Sequence, residues 1–309
     1  MKVFVAGGTG AIGRPLVRQL VAAGHEVAAT TRSEQRAEKL RALGAAPVVC
    51  DALDAAAVDA AVAAARPEVV VNELTAIPPA VNPRRMAREF AATNRLRREG
   101  TAHLMAAAEE HAVRRLISQS VAFAYAPSAT APWTEEDPLD DVGEVTASLK
   151  ALERSTLGSE RVEGVVLRYG FFYGPGTSYS TTGSVAEQVR ARRFPVVGDG
   201  AGMWSFIHVE DAAAATVAAL DGGMPGVYNI VDDDPAAFRE WVPYLADVLG
   251  AKPPRRVPKL LARVAAGPHA VRYAAALKPV SNEKAKRELG WRPRYPGWRQ
   301  GFREALAPG

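Results

Sequence analysis

Residues 2–13 read Lys2-Val3-Phe4-Val5-Ala6-Gly7-Gly8-Thr9-Gly10-Ala11-Ile12-Gly13. The apolar run before Gly7 predicts a short buried strand, and apolar residues at helical spacing from Pro15 onward predict a helix. Between them, Gly7 permits a tight turn, Gly10 lets a ligand approach the backbone, and Gly13 lets the helix pack closely against the strand. We therefore expect a phosphate-binding turn, because the start of the helix presents free N–H groups and its positive dipole end to an anion.

Strands and helices alternate through the first half of the chain. Apolar runs predict strands over residues 26–31, 47–50, 69–71, 115–118 and 164–168, and helical periodicity predicts helices over residues 34–43, 54–65, 84–112 and 146–157. Strands that alternate with helices of this length form a parallel sheet with right-handed crossovers and helices on both faces. The predicted fold class is α/β, a Rossmann-type doubly wound parallel sheet.

The pattern changes near residue 170, where Gly, Pro, Ser and Tyr become frequent. We predict a dinucleotide-binding Rossmann domain over residues 1–169 and a smaller, mixed α/β substrate-binding lobe over residues 170–309. Some strands and helices of the lobe are expected to return to the first domain. At 309 residues the chain is long enough to build both.

Composition argues against several other classes of protein. The formal charge is only +4 and the arginines are dispersed, so nucleic acid is not an expected partner. The single cysteine, Cys50, leaves no pair for an intramolecular disulfide, and a strand begins at once without a leader, so a cytoplasmic location is expected. No apolar run reaches the roughly 18 residues of a membrane helix, and no spacing of ligands predicts a metal site.

The choice of dinucleotide depends on the end of the second strand, which reads Thr30-Thr31-Arg32-Ser33. An acidic side chain there would hold the ribose hydroxyls of NAD, whereas an arginine would hold the 2′-phosphate of NADP. No carboxylate is present, and Arg32 is suited to a charge-assisted contact with phosphate. NADP(H) is therefore the predicted cofactor, with NAD(H) as the alternative.

The chain resembles the extended short-chain dehydrogenases/reductases, the NAD-dependent epimerase/dehydratase family, along almost its whole length. Besides the glycine turn, Asp51-Ala52 resembles the family's adenine-contacting pair, and residues 74–76, 94–101, 167–176, 206–211 and 288–293 follow in the family's order. The resemblance implies that the cofactor is bound by Gly7, Thr9, Gly10, Ala11, Ile12, Gly13, Arg32, Asp51, Ala52, Leu74, Thr75, Ala76, Asn94, Tyr169 and Phe172.

The catalytic residues of that family are matched only in part. Its chemistry rests on a Ser or Thr after one strand and a Tyr-x-x-x-Lys on the next helix, where the lysine lowers the tyrosine pKa so that the phenol exchanges a proton with substrate. Ser120 occupies the serine position. If Lys150 is taken as the lysine, Thr146 stands at the tyrosine position, and its hydroxyl is far too weak an acid to replace a phenol.

A second alignment of the same helix is favoured. It matches Glu153 and Ser148 to a glutamate and a small residue of the family's helix, and it then puts Leu149 at the lysine position and Val145 at the tyrosine position. The tyrosine is missing in either alignment. The resemblance therefore implies an atypical member that keeps the fold and the cofactor site but lacks the Tyr-x-x-x-Lys pair.

Three explanations of the missing tyrosine remain open. Another acid, such as Tyr125, Tyr169, Tyr173 or Tyr179, takes the proton role; or the reaction needs only hydride transfer; or the protein binds cofactor without turnover. The candidate catalytic residues are Ser120, Tyr125 and Lys150.

The substrate pocket is predicted to be aromatic. Nucleotide-sugar enzymes of the family carry an arginine before a His-Val-x-Asp motif, and here Trp204 stands at that place. A tryptophan cannot neutralise a diphosphate, but it can stack on a flat or apolar body. Together with Tyr173 and Tyr179, Trp204 is predicted to bind a small, partly apolar substrate.

The predicted function is an NADP(H)-dependent oxidoreductase that acts on a carbonyl, an imine or a conjugated acceptor. One alternative is an epimerase or dehydratase that keeps NAD(P) tightly bound, and another is a non-catalytic NADP(H)-binding regulator. The expected partners are the small-molecule substrate and a second copy of the chain in a helix-packed homodimer, not a membrane.

Overall fold

A seven-stranded parallel sheet lies at the centre of the structure. The computed structural model of the chain describes residues 1–128 and 131–306. The strands of the described residues, seven of which form this sheet, are β1 Lys2–Ala6, β2 Glu26–Thr31, β3 Ala46–Val49, β4 Val69–Asn72, β5 Arg115–Val121, β6 Glu163–Tyr169, β7 Phe171–Tyr173, β8 Val196–Val197, β9 Met203–Trp204, β10 Phe206–His208, β11 Gly226–Ile230, β12 Ala236–Ala237 and β13 Arg256–Val257.

Helices cover both faces of this sheet and also form part of the second lobe. They are α1 Gly13–Ala22, α2 Glu34–Arg41, α3 Ala55–Ala65, α4 Met86–Glu89, α5 Ala91–Arg95, α6 Thr101–Glu110, α7 Gly143–Leu157, α8 Ser184–Arg190, α9 Val209–Ala218, α10 Phe238–Val248, α11 Lys259–Ala275, α12 Glu283–Glu288 and α13 Trp298–Leu306. Helices α1 and α9 share one apolar core with the sheet, and α3 and α6 share another on the opposite face.

The order of the strands confirms the predicted fold class. Neighbouring strands run β11-β6-β5-β4-β1-β2-β3, and every pair is parallel. All of β4 is buried, as expected for a Val-rich strand covered by helices on both faces. The order reverses between β1 and β4, and ligands of such sheets bind in the crevice beyond the carboxyl ends of the strands at that point.

Residues beyond 170 build the second lobe and also return to the sheet. Strand β11 pairs with β6 at the edge of the sheet. The other late strands form three small pairs, β7 with β10, β9 with β12, and β8 with β13. Aromatic rings fill the interior of this lobe, where Trp204 lies 4.9 Å from Trp241 and Phe206 lies 5.2 Å from Phe302 between ring centroids.

The long helix that was expected over residues 84–112 is divided in the structure. A 3₁₀ turn over Pro83–Arg85 precedes α4 and α5, and a π turn over Leu96–Gly100 joins α5 to α6. Gly100 lies close to Leu74 and Ala52, where a Cβ would come within 3.4 Å of the Leu74 side chain and 3.6 Å of the Ala52 carbonyl oxygen. The spacing of apolar residues alone does not predict such a turn, because the chain remains helical on both sides of it.

Strand β5 is longer than expected. The sequence predicts a strand over residues 115–118, whereas β5 continues to Val121 and pairs Ser120 with Arg168 of β6. The polar residues Ser118, Gln119 and Ser120 interrupt the apolar pattern, but hydrogen bonds to β6 keep the backbone extended. Ser120 therefore lies within the strand and not beyond its end.

One property of the helices bears on membrane association. Among residues 1–128 and 131–306, no helix combines the length and the apolar character needed to cross a bilayer.

Two glycines of the first turn differ in the room around them, and this gives a matched prediction. A Cβ on Gly13 would lie 2.3 Å from the Gly7 carbonyl oxygen and 2.7 Å from the Gly8 carbonyl carbon, whereas the nearest atom to a Cβ on Gly10 is at 3.3 Å. We expect Gly13→Ala to lower the free energy of unfolding by about 1–3 kcal/mol and Gly10→Ala by less than about 1 kcal/mol. Urea unfolding of the ligand-free protein measures both, and equal losses would contradict the close packing of α1 on the turn.

Candidate functional site

A cleft of about 660 Å³ opens at the carboxyl ends of β1, β4 and β5. Its walls are the glycine turn and the start of α1, the loop after β4, the end of β5, the junction of β6 with β7, and the segment over residues 176–184. The crevice expected from the strand order is thus present.

The glycine turn is held by contacts with neighbouring strands. The Gly7 N–H donates to the Thr30 hydroxyl of β2 at 3.0 Å, and the Gly10 N–H donates to the Gly7 carbonyl at 3.0 Å. Gly7 has a φ of +94°, and a Cβ there would lie 2.7 Å from the Glu73 carbonyl oxygen, so only glycine fits. The surface above Gly10 faces the cleft, and the first turn of α1 contains no acidic residue. This arrangement fits a pyrophosphate group.

The predicted cofactor residues divide into three groups by position. Those that line the cleft are Gly10, Ala11, Ile12, Gly13, Leu74, Thr75 and Phe172. Those that lie in the turn or on the loops around the cleft are Gly7, Thr9, Arg32, Asp51, Ala52 and Ala76. Those buried behind the cleft wall are Asn94 and Tyr169.

Arg32 is exposed at the end of β2. Within the part of the chain that the structure describes, its guanidinium makes no hydrogen bond or ion pair, so it is available to a ligand. On the next loop, the Asp51 carboxylate is exposed and accepts a hydrogen bond from the Leu53 N–H at 3.0 Å.

Glu73 is a buried carboxyl group on the cleft wall that the sequence reasoning missed. Burial raises its pKa to about 8, and a contact with Tyr169 offsets this only in part. Its Oε1 lies 3.3 Å from the Tyr169 hydroxyl, while Oε2 has no hydrogen-bond partner among the described residues.

Tyr169 has its hydrogen-bond partners in the interior. Its hydroxyl donates to Glu73 Oε1 at 3.3 Å, the contact that offsets part of the rise in the Glu73 pKa, and it lies 2.6 Å from the Thr216 hydroxyl. The Tyr169 phenol is therefore committed to the interior and does not reach the cleft.

Ser120 lines the cleft, but its proton is engaged elsewhere. Its hydroxyl donates to Glu153 Oε1 of α7 at 2.7 Å. Glu153 also pairs with Arg168 of β6 through two hydrogen bonds, at 2.9 Å and 2.7 Å. A hydroxyl has a single proton, so Ser120 presents only oxygen lone pairs to a ligand.

The structure places Tyr125 outside the cleft. Its hydroxyl donates to Asn229 at 2.6 Å and accepts from Arg168 at 3.0 Å. Burial raises its pKa to about 12, although Arg168 opposes that shift. The prediction that Tyr125 supplies a proton is not supported, because the phenol is buried in a closed network.

The residues of α7 that enter the two alignments differ in position, and Val145, Thr146 and Leu149 share one side pocket. This pocket adjoins the cleft at Val121 and Phe123. Lys150 instead forms an ion pair with Asp141. The prediction that Lys150 serves in catalysis therefore has no support from its position.

The aromatic residues predicted to bind substrate are separated by the fold. Tyr179 lines the cleft. Tyr173 does not, because its ring packs against Phe302 at 5.1 Å inside the second lobe. Trp204 is also buried: its indole N–H donates to the Tyr273 carbonyl at 2.7 Å, and its ring stacks behind Phe171 at 3.8 Å.

Two further residues at the site, Phe123 and Arg97, were missed by the sequence reasoning. Phe123 stacks on Phe171 with 4.1 Å between ring centroids, and both rings line the cleft. Arg97, in the π turn, contributes a buried guanidinium to the same wall. For Phe123 and Arg97 the sequence carries no local signal, because their positions depend on a loop and on an irregular helical turn. Glu73 follows β4 and precedes the predicted Leu74, so its place in the sequence could have identified it as a residue of the site.

Comparison with known proteins identifies the family. The sequence model of the NAD dependent epimerase/dehydratase family matches residues 3–230. A 3-diazoavenalumate denitrifying reductase from a Streptomyces species is 43% identical, over 98% of this chain and 99% of its own. A 4-hydroxy-2-methyl-3-oxo-4-farnesyl-3,4-dihydroquinoline-1-oxide ketoreductase from Stigmatella aurantiaca is 27% identical, over 94% of this chain and 92% of its own.

Solved structures show the same fold. A UDP-glucose 4-epimerase from Thermotoga maritima, solved with UDP-glucose, has a TM-score of 0.79 at 22% identity, over 99% of this chain and 97% of its own. The Thermus thermophilus UDP-glucose 4-epimerase in complex with NAD has a TM-score of 0.77 at 24% identity, with the same coverage of both chains, 99% and 97%. Since the family model spans most of the chain, this protein belongs to the NAD-dependent epimerase/dehydratase family and is an NAD(P)-dependent enzyme.

Proposed function

We propose that this enzyme is an NADPH-dependent reductase that removes the diazo group of a small, planar carboxylate by hydride transfer alone. The observation that carries the proposal is the direction of the Ser120 proton, which goes to Glu153 and not to the cleft. The favoured alignment adds that Val145 and Leu149 stand where the family has its tyrosine and lysine. The 43% identical relative, named as a denitrifying reductase of a diazo carboxylate, supports the substrate class.

The cofactor would be held by the glycine turn and by the loops around it. Gly10 to Gly13 and the start of α1 would hold the pyrophosphate, and Arg32 would hold the 2′-phosphate of NADPH. A protonated Glu73 adds no negative charge to this wall of the cleft, which favours the binding of a phosphate-rich ligand. When bound, the reduced nicotinamide supplies a hydride and becomes oxidised.

Reduction of a diazo group suits a cleft without a proton donor. An arenediazonium ion that accepts one hydride at its terminal nitrogen becomes an aryldiazene, which loses dinitrogen and leaves a C–H bond where the C–N bond was. The hydride brings both electrons and the hydrogen, so the protein supplies no proton. Ser120 would present lone pairs to the positive diazonium group, whereas a ketone would need a donor for the negative charge that grows on its oxygen.

A second candidate is reduction of a ketone. Tyr179 is among the residues that line the cleft, and the Stigmatella aurantiaca relative is named as a ketoreductase. In that case Tyr179 would supply the proton that Val145 cannot. With either candidate function, we expect the protein to be a homodimer in the cytoplasm.

The proposed reaction can be tested with 3-carboxybenzenediazonium as substrate. We expect the protein to oxidise one equivalent of NADPH for each equivalent of benzoate and dinitrogen formed. Gly10→Val is the control, because a branched side chain in the pyrophosphate position should reduce the rate to the uncatalysed background. Reduction of simple ketones in place of the diazonium, with loss of that activity in Tyr179→Phe, would favour the ketoreductase. No NADPH oxidation with either substrate would favour a regulator.

The choice of cofactor can be tested at Arg32. Arg32→Ala should weaken NADPH binding by roughly 10- to 150-fold, because a charge-assisted hydrogen bond contributes about 1.5–3 kcal/mol. NADH binding should change by less than about threefold, since NADH has no 2′-phosphate. Arg41→Ala, which removes an exposed arginine paired with Glu38 on α2, should leave both affinities unchanged. Equal losses of NADPH and NADH in Arg32→Ala would contradict the NADP assignment.

The protonated state of Glu73 predicts a pH dependence of stability. In the unfolded chain a glutamate ionises near its ordinary pKa, whereas folded Glu73 stays protonated up to about pH 8, so folding takes up a proton between these values. This carboxyl should therefore lower the free energy of unfolding by up to about 1.4 kcal/mol per pH unit as the pH rises through that range.

Urea unfolding at several pH values measures this slope. Glu73→Gln should remove this part of the slope and make the protein more stable than the wild type at about pH 8, because no charge then forms in the buried site. Glu110→Gln, at an exposed position of α6, should leave the slope unchanged. A Glu73→Gln slope equal to that of the wild type would show that Glu73 is already ionised in the folded protein.

A further inference from the structure

Arg97 is a buried cation on the wall of the cleft. It belongs to the π turn over Leu96–Gly100, and only 5% of its surface is exposed. Turns of this kind are rare and frequently occur at functional sites. Arg97 is one of the residues that line the same cleft as Ser120 and Phe171.

The partners of Arg97 do not balance its charge. Its Nη1 lies 3.4 Å from the Asn94 side-chain oxygen and 3.4 Å from the Ser148 hydroxyl, and both groups are neutral. The Asn94 oxygen is already 2.9 Å from the Ser148 hydroxyl. Across residues 1–128 and 131–306, no carboxylate forms an ion pair with Arg97. Burial lowers its pKa to about 10, which leaves it charged at neutral pH.

The other two buried arginines among the described residues, Arg115 and Arg168, can be compared directly with Arg97. Arg115 is 4% exposed and pairs with Glu163 at 2.7 Å, and Arg168 is 6% exposed and pairs with Glu153 at 2.7 Å. Buried charges in proteins are ordinarily paired in this way. Arg97 is equally buried but faces a cavity in place of a carboxylate, so its counter-ion is expected to arrive with a ligand.

The position of Arg97 separates it from the pyrophosphate site. The pyrophosphate is expected at the start of α1, between β1 and β4. Arg97 instead contacts Ser148 of α7, the helix that packs against β5 and β6 on the far side of the crevice. This is the side on which Ser120 lies, where the reacting part of a substrate would bind.

The surroundings of Arg97 indicate the rest of the ligand. Phe123 and Phe171 stack on each other along the cleft. Aromatic side chains of this kind bind a flat, apolar body, and a planar guanidinium matches a carboxylate through two parallel hydrogen bonds.

We propose that Arg97 binds the carboxylate of a planar aromatic substrate and thereby orients it in the cleft. Arg97 is a substrate-binding residue in this proposal and takes no part in proton transfer. The proposal rests on the proposed function for the substrate class only. The anion, not the diazo group, is the feature that Arg97 recognises.

The test compares an acid with its ester. Binding of cinnamate and of methyl cinnamate to the full-length protein saturated with NADP⁺ is measured by calorimetry, so that no turnover is needed. We expect the wild type to bind the acid at least about tenfold more tightly than the ester, because only the acid pairs with the guanidinium. Arg97→Met should abolish this preference by weakening the acid and sparing the ester, and Arg97→Lys should restore part of it.

The control is Arg95→Met on the same helical segment. Arg95 is exposed and paired with Glu99, so its removal should leave the acid-to-ester ratio unchanged. An unchanged ratio in Arg97→Met, or equal binding of acid and ester by the wild type, would overturn the proposal. Loss of NADP⁺ affinity in Arg97→Met with an unchanged ratio would instead assign Arg97 to the cofactor.

The two proposals fail separately. If the acid is preferred through Arg97 but 3-carboxybenzenediazonium is not reduced, the carboxylate site stands and only the reaction is wrong. If the diazonium is reduced while the wild type binds acid and ester equally, the reaction stands and the carboxylate site is wrong. Where Arg97→Met does not fold, Arg97→Lys carries the test: a reduced acid-to-ester ratio in Arg97→Lys supports the proposal, and a ratio equal to that of the wild type overturns it.

Discussion

A buried ion pair between Glu153 of α7 and Arg168 of β6 sets the chemistry of the cleft. The two groups meet through two hydrogen bonds and are almost fully buried, so removal of either partner would leave a charge unpaired in the interior. Lys150 of the same helix pairs with Asp141. The buried pair also takes the proton of Ser120, so a residue that would donate in a typical reductase becomes an acceptor.

The proposed function keeps the fold and changes only the chemistry. The sheet and the glycine turn depend on apolar strands and on glycines with little room around them, and these features do not involve α7. The proposed reaction centre lies beside α7, where the family's tyrosine and lysine positions hold apolar residues in the favoured alignment. A cofactor site can therefore persist beside a reaction centre of different character. Fold alone did not reveal this, since structures with UDP-glucose or NAD have the same architecture.

Charge in the cleft is distributed in an unusual way. The carboxyl group on its wall, Glu73, is held neutral by burial, and the guanidinium on its wall, Arg97, is held charged without a counter-ion. Exposed Arg32 adds a second cation at the end of β2. Such a cleft favours anionic ligands at two separate places, which suits a dinucleotide phosphate together with a substrate carboxylate.

Local pattern determined the parallel sheet, the glycine turn and most of the strands, because strand and helix periodicity and the space needs of a turn depend on residues near one another in the chain. It misjudged the helix over residues 84–112 and the end of β5, where pairing with β6 outweighed a polar sequence. The residues that face the cleft were decided by tertiary structure alone: Ser148 lies 51 residues from Arg97, and Tyr169 lies 96 residues from Glu73. Whether a buried polar group finds a partner, keeps its proton or faces a cavity depends on such distant neighbours, and no spacing along the chain encodes it.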